Sequence, residues 1–144
     1  MRIHGEWEIT VLRQILIRST AGIFNEEGTF AAFRETQQKA PTQLPWAGLS
    51  NAENWEMSGA GSLQMIRGMR EWAFENNCAC LALVLPNALK QKIHQQQTDA
   101  VNDPRIAYFF QLKDACAWLS AQGFPITEEE YPHRAFIERT KLHS

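Results

Sequence analysis

The hydrophobic pattern of this chain is organised around residues 78–85, CACLALVL, an apolar run without a charge. Such a run is typical of a strand that is buried on both faces of a parallel sheet. Apolar residues at helical spacing precede it over residues 62–77. A second helical pattern follows Pro86, with Asn87 placed to cap it. This succession of helix, buried strand and helix predicts an α/β sheet, with residues 78–85 as its central strand.

The rest of the chain supplies the other predicted strands and helices. Polar and apolar residues alternate over 3–11, which predicts a strand with one solvated face, and residues 14–20 predict a second strand beside it. The complete order is β-β-α-β-α-β-α-β-α. The further predicted elements are a helix that begins after Asn25, a short strand over 44–50, a loop over 51–57, a helix over 87–97, a strand over 107–111 and a helix over 112–122.

Composition and charge are those of an ordinary globular protein. The chain has 144 residues, of which 44% are hydrophobic and 21% charged, and this suits one domain with a substantial core. We assign that domain to residues 1–123 and treat residues 124–144 as a C-terminal extension, either helical or mobile. The formal net charge of −2 gives no electrostatic reason to expect a nucleic acid partner. No apolar run approaches the roughly 20 residues of a membrane helix, so we expect no membrane insertion.

The cysteines and the first residues indicate the compartment. Three cysteines form no disulfide framework and favour a reducing environment, and the first ten residues lack the apolar core of a signal peptide. We therefore expect a cytoplasmic protein. Cys78 and Cys80 should point to the same side of one strand, but a structural zinc site usually has four ligands and a wider spacing. We interpret them as core residues and expect no metal.

No pattern in the chain matches a catalytic signature. A G-x-S-x-G elbow is absent, and Gly59 and Gly61 lack the third glycine and the leading strand of a dinucleotide-binding loop. The four histidines are scattered, and none has a ligand partner four residues away, so we interpret them as surface or incidental residues. We expect a non-enzymatic protein without a cofactor.

A set of local strings accompanies this order of elements. They are Gly22-Ile23-Phe24-Asn25, Pro45-Trp46-Ala47-Gly48-Leu49, Trp55, the helical stretch before CACLALVL, and Phe110 with Asp114-Ala115 and Trp118-Leu119. Over residues 9–123, these strings and the order of elements resemble the STAS/SpoIIAA-like family, named after the anti-sigma-factor antagonists of sporulating bacteria. The resemblance implies a mixed sheet of four to five strands, with about four helices packed mainly on one face.

The resemblance also implies a bacterial regulatory protein that binds another protein. In members closest to the family name, a kinase phosphorylates a Ser or Thr at the start of the second helix, within an Asp-Ser-Ser-Gly string. The corresponding residues 56–63 contain Ser58 and Ser62 but not the Asp. These two serines are the candidate phosphate acceptors, with N-capping of the helix as the structural alternative. An anti-sigma or kinase-like regulator is the candidate partner.

A small apolar-ligand or lipid-binding protein is the second hypothesis. Ligands tend to bind near the carboxyl ends of parallel strands, in the crevice beside the sheet. A pocket there, between sheet and helices, would be lined by Phe24, Trp46, Trp55 and Met57. The structural alternative is that these side chains only cover the sheet edge. A first strand at the edge of the sheet would also allow a homodimer by strand pairing.

Overall fold

One mixed sheet and five α-helices make up the part of the chain described by the computed structural model, residues 2–56, 58–98 and 102–141. The strands are β1 (Glu6–Leu12), β2 (Ile15–Gly22), β3 (Trp46–Trp55), β4 (Cys78–Val84) and β5 (Ile106–Phe109). The helices are α1 (Glu26–Lys39), α2 (Ala60–Glu75), α3 (Ala88–Gln97), α4 (Leu112–Ala121) and α5 (Arg134–Thr140), and a 3-10 turn spans Glu128–Glu130. The predicted α/β sheet is confirmed.

The strands lie side by side in chain order, β1-β2-β3-β4-β5. β1 is antiparallel to β2, and all other neighbours are parallel. The apolar run predicted to be a central strand is β4, which lies between β3 and β5, so β3 takes the middle place instead. β1 lies at an edge, as the hypothesis of a strand-paired homodimer requires, and that dimer stays a prediction. Within the described residues, no helix has the length and apolar character needed to cross a membrane.

Helices cover both faces of the sheet. On one face, α4 and α5 pack over Ile17, Leu49 and Ala82 through core residues such as Leu119 and Phe136. On the other face, α1 and α2 pack over β3 and β4, and α3 joins them by placing its one buried residue beside the same strands. Three of the five α-helices therefore share one face. Strands covered on both faces have few solvated positions, which explains the uninterrupted apolar run of β4.

Residues 124–141, which follow the predicted domain, pack against the sheet. Ile126, Tyr131, Phe136 and Ile137 belong to the core beneath α4. The Asn54 side-chain amide donates to the Ile137 carbonyl at 2.8 Å and so satisfies an oxygen at the end of α5. This segment therefore adds apolar side chains to the core.

A buried polar network also ties this segment to the sheet. The hydroxyls of Ser19 and Tyr131 are hydrogen-bonded to each other, and the Asn51 amide donates to the Tyr131 hydroxyl at 3.2 Å. His133 Nδ1 lies 2.8 Å from the Ser19 hydroxyl, and its Nε2 lies 2.8 Å from the Thr10 hydroxyl. Burial lowers the pKa of His133. Each of these buried polar groups has a partner, as a stable interior requires.

β3 is longer than predicted, since it continues through residues 51–55 instead of ending in a loop. The polar residues there suggested a loop, but they are paired in register with β2, for example Asn51 with Ser19 and Trp55 with Gly22. The Asn51 side chain accepts from the Glu53 backbone N–H at 3.0 Å. Side-chain hydrogen bonds of this kind let asparagines occupy a buried strand, so the prediction of a loop was wrong.

Cys78 and Cys80 do not share a side of β4, contrary to prediction. Cys78 is opposite Trp46 and Cys80 is opposite Ala47, so β4 has one extra residue at a bulge. Cys78 consequently packs with Trp46 and Leu16, whereas Cys80 packs in the core on the other face. Burial raises the pKa of the Cys78 thiol to about 12 and also raises that of Cys80. Both are protonated core thiols at neutral pH.

We predict that α5 stabilises the whole fold. Phe136 is 3% exposed in the core, so Phe136→Ala should lower the free energy of unfolding by about 4 kcal/mol, through lost apolar burial and the cavity left behind. Phe110→Ala is the matched control because Phe110 is 54% exposed, and it should cost about 1 kcal/mol or less. Urea unfolding measures both. Equal effects of the two substitutions would show that α5 adds nothing to the core.

Candidate ligand-binding site

Two neighbouring cavities lie between the sheet and the layer formed by α1 and α2. Their volumes are about 60 Å³ and about 80 Å³. Several residues line both cavities, namely Arg18, Ser50, Ile66, Met69, Leu83 and His94. Because the shared residues come from β2, β3, β4, α2 and α3, the two cavities form one interior region of the fold. A volume of this kind holds several water molecules or a small organic molecule.

The lining of the first cavity combines apolar side chains with hydroxyl groups. Its apolar residues include Phe24, Ala32, Ala52 and Trp55. Its hydroxyl groups belong to Thr20, Thr29, Ser50 and Ser58. Among the described residues, no Asp or Glu lines either cavity. The charge in this interior region is therefore that of its basic residues alone.

Arg18 is the charged residue that both cavities share. It follows Leu16 by two residues in β2, so both side chains lie on the side of the strand that faces α1 and α2. Its register partner on β3 is Ser50. The guanidinium Nη2 donates to the Ser50 hydroxyl at 3.4 Å, a long hydrogen bond. Part of the side chain remains accessible, but Nε is closed off from solvent and has no hydrogen-bond partner among the described residues. Such an unpartnered buried donor is rare in native proteins.

The electrostatic environment of Arg18 is unfavourable for a cation. Burial, followed by the nearby Arg70 guanidinium, lowers the pKa of Arg18 to about 10. The side chain is still charged at neutral pH. Arg70 donates to the hydroxyls of Thr98 and Tyr108 at 2.7 Å and 3.0 Å. Two partly buried cations thus lie near each other, and no Asp or Glu of the described residues lines a cavity that contains Arg18, so a bound anion would stabilise this arrangement.

His94 completes the polar lining. Its Nδ1 lies 2.6 Å from the Tyr108 hydroxyl, which also accepts a hydrogen bond from Arg70. Burial first, and then Arg70 and Arg18, lower the pKa of His94 to about 3. The ring is therefore neutral at pH 7. The ring stands edge-on to Trp55, with 5.6 Å between the ring centroids, and it lines both cavities.

The structure brings together most of the predicted pocket residues. Phe24 and Trp55 line the first cavity, and Trp46 lines the second. The Trp46 indole N–H also donates to the Asn76 carbonyl at 2.7 Å, which ties β3 to the end of α2. Met57 lies outside the described residues. Three of the four predicted side chains thus line the same region. These side chains lie under the helices as well as at the edge of the sheet.

The two candidate phosphate acceptors, Ser58 and Ser62, are both buried. Ser58 lines the first cavity, and its hydroxyl accepts from the Trp55 indole N–H at 3.0 Å. Ser62 is 2% exposed in the first turn of α2. The N-cap of this helix is Gly59, which has no side-chain cap, so the alternative that one of these serines caps the helix is wrong.

Sequence reasoning missed the polar residues that distinguish this site. The strand pattern could have indicated Arg18. Arg18 shares one side of the predicted strand with Leu16, and Ile15 and Ile17 make the other side apolar. His94 was interpreted as incidental, yet it is 5% exposed, and His133 is 2% exposed. In α3 the buried residue is His94, whereas the apolar residue Leu89 is 67% exposed.

A wider cleft of about 590 Å³ opens on the other face of the sheet, between α4 and α5. Its size is within the usual range for ligand sites. Its lining contains exposed side chains of both charges, including Glu53, Arg134 and Glu138. The charged groups there are solvated. The smaller region around Arg18 is therefore the stronger candidate, because a buried donor there lacks a partner among the residues with described positions.

The architecture matches a solved structure. An uncharacterised protein from Shewanella loihica PV-4, of the DUF3478 family and with a SpoIIAA-like fold, superposes with a TM-score of 0.56 over 83% of this chain and 98% of its own. The chain has a SpoIIAA-like fold. The predicted resemblance is thereby confirmed at the level of fold, since the sequences are 13% identical. No family model and no curated protein matches the chain.

We predict that His94 makes the SpoIIAA-like domain less stable in acid. Its pKa in the folded state, about 3, lies below the unfolded value of about 6.5, so the unfolded chain binds the proton first as the pH falls. Between pH 7.5 and pH 5, this titration should lower the free energy of unfolding by about 2 kcal/mol. His94→Gln should lack this part of the pH dependence in urea unfolding.

The exposed His4 provides the control for this comparison. His4→Gln should follow the wild-type curve. The difference in stability between the wild type and His94→Gln should shrink as the pH falls, and a constant difference from pH 7.5 to pH 5 would contradict the assignment of a buried neutral imidazole.

Proposed function

We propose that the protein is a non-enzymatic ligand-binding domain, which holds a small molecule in the two cavities between the sheet and α1 and α2. The observation that carries this proposal is the convergence of unused polar groups with apolar side chains in one interior region. Binding sites typically combine an apolar lining with a few polar groups that orient the ligand. Arg18 and His94 supply such groups, and Phe24 and Trp55 supply the apolar surface.

The cavity volumes favour a small molecule over a lipid. The second hypothesis was an apolar-ligand or lipid pocket, and ligand sites usually measure several hundred cubic ångströms, whereas these volumes are about 60 Å³ and about 80 Å³. A cavity of about 150 Å³ is known to hold benzene. The region thus suits a ligand of a few heavy atoms, and its basic lining departs from the expected apolar site.

A protein-interaction role is the second candidate. Ile23 is 64% exposed and Leu89 is 67% exposed. Both lie at the carboxyl ends of the strands, where the Glu56 N–H donates to the Gly22 carbonyl and Lys90 donates to the Trp55 carbonyl. An anti-sigma or kinase-like regulator could bind this edge. Burial of Ser58 and Ser62 gives less support to a phosphate switch there, since a kinase would need α2 to open first.

We predict that filling the first cavity removes the ligand and leaves the fold intact. Ala52 is a buried cavity-lining residue on β3, so Ala52→Leu should occupy the space that the ligand needs. Native mass spectrometry of protein purified gently from its own host should show a bound small molecule on the wild type. The bound fraction should fall at least about tenfold in Ala52→Leu, which corresponds to a free-energy loss of about 1.4 kcal/mol.

Ala121→Leu is the matched control, because it makes the same chemical change at an exposed position of α4. It should retain the ligand at the wild-type level. Circular dichroism should show that all three proteins are folded. A bound molecule that survives Ala52→Leu unchanged would place the binding site elsewhere, and a wild type without any bound molecule would count against the proposed function.

A further inference from the structure

We infer that the ligand is a small carboxylate with a short apolar body, and that its carboxylate binds the guanidinium of Arg18. This inference rests on the proposed function, because it names the chemical class of molecule for the same two cavities. The partly buried charge of Arg18, the polar groups around it and the apolar wall beside it each support one part of this assignment.

The charge of the site calls for an anion. Arg18 is partly buried, its Nε has no partner within the described part of the chain, and the Arg70 guanidinium is near enough to lower the pKa of Arg18. No carboxylate of the described residues lines either cavity. Buried cations in proteins are normally paired, because an isolated charge loses its hydration without compensation. An anion between the sheet and α2 would supply the missing pair.

Neighbouring carboxylates of the protein are already engaged elsewhere. Asp103, which lies near Arg70, accepts hydrogen bonds from Arg105 at 3.0 Å and 2.8 Å. Glu35 of α1 accepts from the Trp7 indole at 3.0 Å and pairs with Lys39 at 2.9 Å. Neither residue lines a cavity that contains Arg18. The counter-ion of Arg18 is therefore expected to come from outside this part of the chain.

The free donors around Arg18 suit a planar carboxylate. A guanidinium presents parallel N–H groups that match the two oxygens of a carboxylate. The Ser50 hydroxyl accepts from Arg18 and has its own proton to donate. The neutral imidazole of His94 also lines both cavities. A neutral imidazole in this position can donate one hydrogen bond without adding a third charge.

The apolar wall of the first cavity accommodates the rest of the molecule. Ala32, Ala52, Phe24 and Trp55 line it, and each of them is buried. The small side chains of the two alanines leave the space, and the two aromatic rings form its sides. By comparison with cavities that hold benzene, the whole ligand has no more than about six heavy atoms. A short-chain fatty acid has this size, this charge and this apolar body.

The test is a calorimetric titration of the wild type with acetate, propionate, butyrate and valerate at pH 7.5, in a buffer without other carboxylates. At least one acid should bind with one-to-one stoichiometry. Butyramide, the neutral isostere of butyrate, should bind at least about tenfold more weakly than butyrate, because it has no charge for Arg18. Equal binding of butyrate and butyramide would overturn the inference, as would tighter binding of inorganic phosphate than of any acid in the series.

Arg18→Met tests the residue itself. It keeps most of the side-chain volume and removes the charge, so the acid that binds the wild type should bind at least about tenfold more weakly. Arg34→Met is the matched control, because Arg34 is an exposed arginine of α1 and should leave binding unchanged. Wild-type affinity in Arg18→Met would overturn the assignment. If Arg18→Met does not fold, the comparison of butyrate with butyramide on the wild type decides alone.

Failure of this inference is distinguishable from failure of the proposed function. Native mass spectrometry reports any bound molecule, whatever its charge. A neutral molecule that Ala52→Leu expels, together with no binding of the acids, would leave the proposed function standing and overturn the carboxylate. No bound molecule and no binding of any acid would overturn both.

Discussion

Burial of the sheet on both faces is the constraint on which the rest of this structure depends. α1, α2 and α3 cover one face, and α4 and α5 cover the other, so the inner strands have almost no solvated side. Any polar residue on β2 or β3 must then find a partner inside the protein or bind something that enters it. Ser19, Asn51 and Arg18 are all in this position, and they meet the constraint in different ways.

The two faces differ in how their polar groups are satisfied. On the face covered by α5, Ser19 and Asn51 bond to Tyr131, and His133 bonds to Ser19 and Thr10. This network is complete, and it holds the C-terminal segment on the sheet. On the opposite face, and within the residues that the structure describes, Arg18 has one long hydrogen bond and a buried Nε without a partner. The complete network stabilises the fold, whereas the unpartnered donor beside a cavity is what supports the proposed ligand site.

The parts of the fold that depend on local sequence were predictable. The run at residues 78–85 specified β4, and the Asn25 side chain caps α1 by accepting from the Gly28 N–H at 2.8 Å. Asn87 caps α3 in the same way at 2.9 Å. The extension of β3 and the bulge at Cys78 depend on pairing with other strands, which a local pattern does not contain. The pocket was predicted from Phe24, Trp46 and Trp55, but its charge was not, because Arg18, Arg70 and His94 meet only through tertiary packing.

Trp55 links the interior site to the surface at the carboxyl ends of the strands. Its ring lines the first cavity and stands edge-on to His94 at 5.6 Å, and its indole N–H donates to Ser58. Its carbonyl accepts from Lys90 of α3 at 3.1 Å. A ligand that contacts this ring would therefore also affect the start of α3 and the loop before α2, through these hydrogen bonds of Trp55. The two candidate roles, ligand binding and partner binding, are then compatible. A ligand bound in the two cavities would alter the edge at which a partner would bind, provided that the ligand favours one arrangement of these contacts over another.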